Sequence, residues 1–496
     1  MKQLTGLDAV FLALDSPTVC SHLGCVAVLE PPARGPALTL RRLTEIIESR
    51  LHLAPPFRRR LVEVPFGLDQ PYWIEDPGFE IDFHIREFAL PSPGDDRQLA
   101  TAAACLHERP LDRTRPLWEM YLIHGLAGGR KALYAKVHHA AIDGVAGNNL
   151  LVALFDPTAR PHIERTAIPW RPDQEPGAVR LLARSAASAA RQPFRLGRLS
   201  AQVLRSLPAL ATSPGRPRLP VIDRLLPRRG PGPAAPPLIA PPTPFNKMLG
   251  PRRVCAFGSL PLTTVKQIKN SAGATVNDVV MAVCAGALRR WLHHHNALPE
   301  GPLLAAVPVN IRGRDQNATE GNRLAKIIAP LPTHLDGPGE RLRAVCESMA
   351  AAKNQFSGIP PDLFSEIAQL STPALAKPAC RLATRVRLLE RISPLNLFVS
   401  NVPGPAVDMY MGGWRLLSAY PISTIADGQG LNITVLGSRG RLNVGIVADP
   451  ELVPDVEAIM NGLIAELALL DRQSSDVDVS MTSRGSTGDR TAIGDC

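Results

Sequence analysis

The chain has 496 residues, of which 45% are hydrophobic and 20% charged, and its formal net charge is +10. That length accommodates two large domains and a connector, and the composition is ordinary for a globular protein able to build a core in each. No run reaches the roughly 18 uncharged apolar residues that span a bilayer, and none of the eight cysteines sits in a CxxC pair, so a membrane-spanning helix, a disulfide framework and a zinc ribbon all lack support.

The N-terminal stretch MKQLTGLDAVFLALDS carries Asp8 and Asp15 inside its apolar pattern, which argues against the uncharged centre of a signal peptide. A cytoplasmic location is expected. GCVAVLE (24–30) predicts a strand, LTLRRLTEIIESRL (38–51) a helix, and IDFHIREF (81–88) a second strand. EMYLIHGL (119–126) and KALYAKV (131–137) read as a hairpin across Ala127-Gly128-Gly129-Arg130. HHAAIDG follows, and then VAGNNLLVALF, which predicts a helix. Residues 1–160 form the expected N-terminal domain.

The connector, 161–249, differs in kind. Between Arg165 and Gly230 there are thirteen arginines and three acids (Asp173, Glu175 and Asp223), a local charge of +10, so the rest of the chain is close to neutral. Only Trp170 and Phe194 interrupt that charge, too few aromatics for nucleic-acid stacking. A membrane surface or an anionic cofactor suits it better, and no nucleic-acid partner is expected. Residues 177–207 predict a basic amphipathic helix interrupted at Pro193. Twelve prolines between 208 and 244 predict a stiff, extended link.

From 250 to 470 a second mixed α/β domain is expected. TVNDVVMAVCAGALRRWL (275–292) reads as a helix and LLAAVPVNI (303–311), NLFVSNV (396–402), LNITVLG (431–437) and LNVGIVA (442–448) as strands. PDVEAIMNGLIAELALL (454–470) closes the domain as a helix. The Ser-, Asp- and Gly-rich tail, 471–496, is expected to be disordered. The scattered cysteines, such as Cys284 within VVMAVCAGAL, read as reduced core residues.

The chemistry concentrates in HHAAIDG, His138 to Gly144. It sits between a strand and a helix, where side chains can face a cleft, and a histidine there can be neutral near pH 7, as a general base must be. Adjacent residues of a strand point to opposite faces, so only one of His138 and His139 should meet a substrate. Asp143 reads locally as a helix cap beside Gly144. Asn277 has two readings, an amide donor to a developing oxyanion or part of a helix start with Thr275 and Asp278. Pro116-Leu117-Trp118 reads as core at a strand start. SNVPGP (400–405), which contains Asn401, reads as a proline-fixed turn. His293-His294-His295 ends a helix, where positive groups complement its dipole better than they would bind a metal. No GxGxxG, P-loop or HExxH motif competes, and no permanently bound cofactor or metal is expected.

Taken in order, LTGLDAVFL (4–12), Pro116-Leu117-Trp118, HHAAIDG, Asn277-Asp278, PVNIR (308–312), Gly321-Asn322 and SNVPGP resemble the bacterial bifunctional wax ester synthase/diacylglycerol acyltransferase family, within the HHxxxDG superfamily of CoA-dependent acyltransferases. The resemblance runs over about residues 1–470. It implies two chloramphenicol-acetyltransferase-like mixed α/β domains with a tunnel between them. It implies His139 as the base that deprotonates an alcohol attacking the thioester of a long-chain acyl-CoA. His138, a second catalytic candidate, is left by strand geometry as a structural or orienting residue, and the resemblance makes Asp143 a loop brace, with Arg312 as its partner. It sets Pro116, Leu117, Trp118 and Asn401 near the tunnel. The acceptor it implies is diacylglycerol, a long-chain alcohol or both, met at the inner membrane or a lipid droplet by a peripherally bound enzyme. Two rivals stand beside that reading: the same fold acting on another alcohol, and a catalytically weak lipid-surface binding protein.

Overall fold

The computed structural model describes residues 1–142, 154–160, 170–212, 239–310, 324–356, 369 and 372–485. Asp143, Gly144, Arg312, Gly321-Asn322 and all but the last two residues of VAGNNLLVALF lie outside the described residues.

In the N-terminal half the chain forms β1 (Lys2–Gln3), α1 (Gly6–Leu14), β2 (His22–Glu30), α2 (Leu40–Arg50), β3 (Arg59–Val62), β4 (Tyr72–Glu75), α3 (Ile81–His84), β5 (Ile85–Ala89), α4 (Asp96–His107), β6 (Trp118–His124) and β7 (Lys131–His138). α5 (Ala178–Thr212) follows. The second half contains β8 (Val254–Pro261), α6 (Leu262–Ser271), α7 (Val276–His294), β9 (Leu303–Asn310), β10 (Leu324–Leu331), α8 (Pro338–Phe356), α9 (Pro373–Arg385) and α10 (Leu388–Arg391). It ends with β11 (Leu397–Val402), β12 (Tyr410–Met411), β13 (Trp414–Ile422), β14 (Leu431–Ser438), β15 (Arg441–Ala448) and α11 (Val456–Gly485).

Two six-stranded mixed sheets carry the architecture, ordered β12-β13-β2-β7-β6-β5 and β10-β9-β11-β14-β15-β8, with a small β1-β4-β3 sheet beside the first. Period-two alternation gives the first sheet two buried faces. Ala27, Leu29, Leu133, Ala135 and Val137 pack with Leu43, Ile46 and Ile47 of α2. Val26, Val28, Ala132 and Tyr134 pack with Leu99, Ala103 and Leu106 of α4. The second sheet lies under α7 and α11. α7 is apolar all round and is buried from Asp278 to Leu288, as a helix inside a core should be. Its start is fixed by a capping box between Thr275 and Asp278. No single described helix is both long and apolar enough to cross a bilayer.

The structure departs from the sequence expectations in several places. Residues 410–422 fall inside the range expected for a separate C-terminal domain, yet β13 pairs antiparallel with β2, from Arg415 against Glu30 to Ile422 against Gly24. The two sheets meet where Gly445 of β15 lies against Pro421 of β13; a Cβ at 445 would stand 1.7 Å from the Pro421 carbonyl oxygen, so only glycine fits. The strand expected over 81–88 begins only at Ile85, where pairing with β6 begins. The preceding turn buries His84, whose Nδ1 lies 2.8 Å from the Trp118 carbonyl oxygen. α5 runs through Pro193, whose missing N–H removes one bond without ending the helix. α11 extends to Gly485 across residues expected to be disordered, because the packed turns up to Leu470 nucleate helix that then propagates.

Candidate active site

The site begins where β7 ends. Along β7, Tyr134, Lys136 and His138 share the α4-facing side, while Leu133, Ala135 and Val137 share the other. His138 is therefore carried inward and is 1% exposed. His139 opens a 3-10 turn, His139–Ala141, and is less deeply buried than His138. The pair thus divides into one inner and one outer histidine.

His138 is held at both ring nitrogens. Its Nδ1 accepts the Ala140 N–H at 3.0 Å and so shapes the turn. That leaves Nε2 to carry the proton and donate to the Asp15 carboxylate at 2.9 Å. Asp15 follows the last turn of α1 and also accepts from Arg113 at 2.9 Å and from the Ser21 N–H at 2.9 Å. Burial alone would raise the Asp15 carboxyl, but the hydrogen bond from His138, followed by those from Arg113 and the Ser21 N–H, holds it well below the usual carboxylate range.

The outer histidine is fixed from the same helix. The Phe11 ring stacks on the His139 ring with centroids 3.8 Å apart and planes 15° apart. The His139 N–H donates to the Ser21 carbonyl at 2.7 Å, and the Ser21 hydroxyl donates to the Phe11 carbonyl at 3.0 Å. The loop entering β2 thereby ties α1 to the histidine turn. The Leu117 carbonyl accepts the His138 N–H at 2.9 Å, and Leu117 packs with Ala140, Leu4, Leu12 and Leu111. Pro116-Leu117-Trp118 is thus brought against the motif. Trp118 itself is core, stacked between Phe57 and His84 at 4.4 Å each and donating to the Phe57 carbonyl.

Behind His138 lies a buried polar cluster. Lys136 is 0% exposed and donates to the carbonyls of Leu106 (3.0 Å) and Arg109 (2.7 Å), with Glu119 at 3.4 Å. His22 faces His138 across the β2–β7 ladder, with ring centroids 5.9 Å apart. Burial, and then the charge of Lys136, push His22 down to about 3, so it is neutral at pH 7. His107 accepts or donates at 2.9 Å with the Tyr134 hydroxyl and is pushed well below its ordinary range, chiefly by burial.

The remaining expected residues lie in the second half. Asn277 is half-buried in the first turn of α7. Asp278 is committed to the helix cap through Oδ2, which accepts from the Thr275 N–H (2.9 Å) and hydroxyl (2.7 Å); its buried Oδ1 has no partner among the described residues. Asn401 lies on β11 opposite Val435, and the turn after it brings Pro405 over Ala27, Leu133 and Ala135 of the first sheet, where a small apolar cavity of about 50 Å³ opens between the sheets. Asp15, Arg113, Phe11 and Ser21 escaped the sequence reading as site residues. The available signal was Asp15 itself, an acid closing an otherwise apolar helix.

Comparison with known proteins identifies the family. The wax ester synthase/diacylglycerol acyltransferase catalytic domain matches residues 4–280, and the WS/DGAT C-terminal domain matches residues 320–471. A putative diacylglycerol O-acyltransferase of Mycobacterium tuberculosis (strain CDC 1551 / Oshkosh) is 35% identical over 96% of this chain and 91% of its own. A second from that strain is 36% identical over 95% and 99%. Among solved structures, the wax ester synthase/diacylglycerol acyltransferase from Marinobacter aquaeolei VT8 superposes with a TM-score of 0.66 at 27% identity, covering 96% of this chain and 100% of that one. The first condensation domain of the calcium-dependent antibiotic synthetase shares the fold, with a TM-score of 0.52 at 16% identity over 96% of both chains. The chain belongs to the wax ester synthase/diacylglycerol acyltransferase family of acyltransferases.

Proposed function

We propose that the protein transfers a long-chain acyl group from acyl-CoA to the hydroxyl of diacylglycerol, a long-chain alcohol or both, with His139 as the general base. The observation that carries this reading is the division of labour in the histidine pair: His138 is buried and bonded at both nitrogens, while His139 is less deeply buried and stacked on Phe11. The acceptor hydroxyl gives its proton to the His139 imidazole as its oxygen attacks the thioester carbonyl. The tetrahedral intermediate collapses, the C–S bond breaks, and the departing CoA sulfur takes the proton back from the imidazolium. No acyl-enzyme is required, because both substrates meet at one histidine, and proximity supplies much of the acceleration. Asn277 is the amide assigned to the oxyanion and Asp143, with Arg312, the brace of the following loop.

Asp15 completes the reading as a positioning residue. It acts through His138, which shapes the turn that presents His139. The acceptor lipids are nearly insoluble, so the enzyme works from the cytoplasmic side at the inner membrane or a lipid droplet, with the Arg-rich segment 165–230 supplying attraction to an anionic surface. Radiolabelled acyl-CoA offered with diacylglycerol, hexadecanol and unrelated alcohols tests the proposal. Label is expected in triacylglycerol or wax ester, lost in His139→Ala and retained measurably in His138→Ala. The reverse mutant pattern would reassign the base. Transfer to none of the acceptors would leave a lipid-binding protein.

A further inference from the structure

We propose that α9, α10 and the turn at residues 65–68, with the start of α5 beside them, form the face that seats the protein on an anionic phospholipid surface. This rests on the lipid-acceptor reading and shares with it the arginines at the start of α5, but adds the surfaces of α9, α10 and the 65–68 turn, which that reading did not use.

The first observation is an apolar stripe that points outward. Leu375 and Leu382, seven residues apart, lie along one side of α9, and Val386, which caps the helix four residues on, continues that side; Leu375 is 69% and Leu382 61% exposed. Leu388 and Ile392 continue the exposed series through α10. Within α9 only Pro373 is fully buried. A helix in water normally turns its apolar stripe toward the core, so one that turns it outward is placed to meet an apolar medium.

The second observation is Phe66. It is 83% exposed and has a left-handed backbone (φ 59°) that bulky residues rarely adopt. The turn that carries it is pinned against the first turn of α9. Gly67 also has a positive φ, and a Cβ there would stand 3.0 Å from the Ala374 nitrogen. The turn therefore holds an aromatic ring out beside the stripe. α5 starts against the same turn: Leu181 packs with Val62, Val64, Tyr72 and Ile74, leaving Arg180, Arg184 and Arg191 exposed.

Charge selects the occupant. Residues 373–392 contain Lys377, Arg381, Arg385, Arg387 and Arg391 against the single acid Glu390. Apolar residues interleaved with arginines along a surface helix match a phospholipid interface, where the side chains insert and the guanidinium groups meet headgroup phosphates. A protein partner would call for a central patch depleted of charge. Directly behind the face, between α1, the 65–71 turn and α9, lies a pocket of about 510 Å³ that reaches Leu12. Leu12 adjoins Phe11, the residue stacked on His139, so a lipid leaving the bilayer at this face is already beside the catalytic helix.

Co-sedimentation of the full chain with phosphatidylcholine vesicles, with and without phosphatidylglycerol, tests the proposal. The variant Leu375→Ser/Leu382→Ser/Val386→Ser changes only exposed side chains. Its bound fraction on anionic vesicles is expected to fall about tenfold, while acyl transfer to a short water-soluble alcohol stays at the parent level. In a second experiment, Phe66→Trp should show blue-shifted emission on anionic vesicles, quenched by acyl-chain-brominated lipid. Parent-level vesicle binding by the triple variant, or an indole emission unmoved by vesicles, would overturn the proposal. Loss of the parent's transfer to the soluble alcohol would instead strike at the acyltransferase reading and leave the vesicle result to be judged by itself.

Discussion

The two six-stranded sheets are covered by helices in the same way but filled differently. Under α7 and α11 the second sheet presents Val307, Leu397, Val399, Ile433, Val435, Val444 and Ile446, an apolar face, and the charges buried among the covering helices, Glu466 and Arg341, pair with each other away from the strands. Under α4 the first sheet changes along its length. Ala132 and Ile123 sit at one end; Tyr134, Glu119, Lys136, His22 and His138 follow toward the other. Burying polar groups costs free energy unless each finds a partner, and here Lys136, Glu119, His138 and Asp15 are hydrogen-bonded or ion-paired. The polar end is the end that carries the histidine turn. One sheet therefore supplies stability with little chemical demand, and the other trades core-building for a rigid platform.

That contrast can be broken by substitution. The largest effect is expected from His139→Ala, which should reduce turnover by about a thousandfold or more, equivalent to about 4 kcal/mol of transition-state stabilisation, with an unchanged melting temperature. Leu288→Ala in α7 should behave in the opposite sense, costing about 3 kcal/mol of stability in denaturant titration while turnover below the transition stays at the parent level. If both variants lost activity and stability together, the proposed separation of platform from core would fail. Asp15→Asn stands between them, losing about 2 kcal/mol of stability and about tenfold in kcat with little change in KM, since it positions the base and touches no substrate. Asp15 is depressed in the folded state, so its stabilisation is complete above the ordinary carboxylate pKa of about 4 and shrinks as pH falls below it. The gap between parent and Asp15→Asn in unfolding titrations should narrow with acid.

The smallest effect sharpens the same contrast. His22 has a folded pKa of about 3, below its unfolded value near 6.5. Its contribution is fully present above about 6.5 and is lost as pH falls through the window between the two values, because the unfolded chain binds a proton that the folded chain refuses. His22→Gln should remove about 1 kcal/mol of the parent's acid-induced destabilisation near pH 5.5. A pH dependence of unfolding identical in the two proteins would place the acid sensitivity elsewhere.

Much of this was legible in the sequence because local pattern and tertiary outcome agree. β2, β7, β14, β15 and α7 are each apolar runs whose length matches their element, and the structure forms them within a few residues of the expected limits. HHAAIDG marked the candidate site, and its two adjacent histidines after a strand part to different environments. Long-range partnership was illegible. WRLLSAYPI has little alternation because β13 is half-buried along most of its length, and nothing local says that it belongs beside a strand almost four hundred residues earlier. The Asp15–His138 bond spans 123 residues, and its signal, one acid in an apolar helix, looked like an argument about targeting instead of catalysis.

The placement of β13 has a consequence for synthesis. The edge of β2 is the last part of the first sheet to gain its neighbour, because residues 414–422 leave the ribosome long after residues 22–30. Until then Gly24–Glu30 presents unpaired backbone groups to its surroundings, a template for pairing with the wrong chain. A nascent chain arrested before residue 414 would hold its histidines on an incomplete platform. Shielding of that edge by a chaperone, more than the rate of either sheet's own collapse, should then govern the yield of active protein.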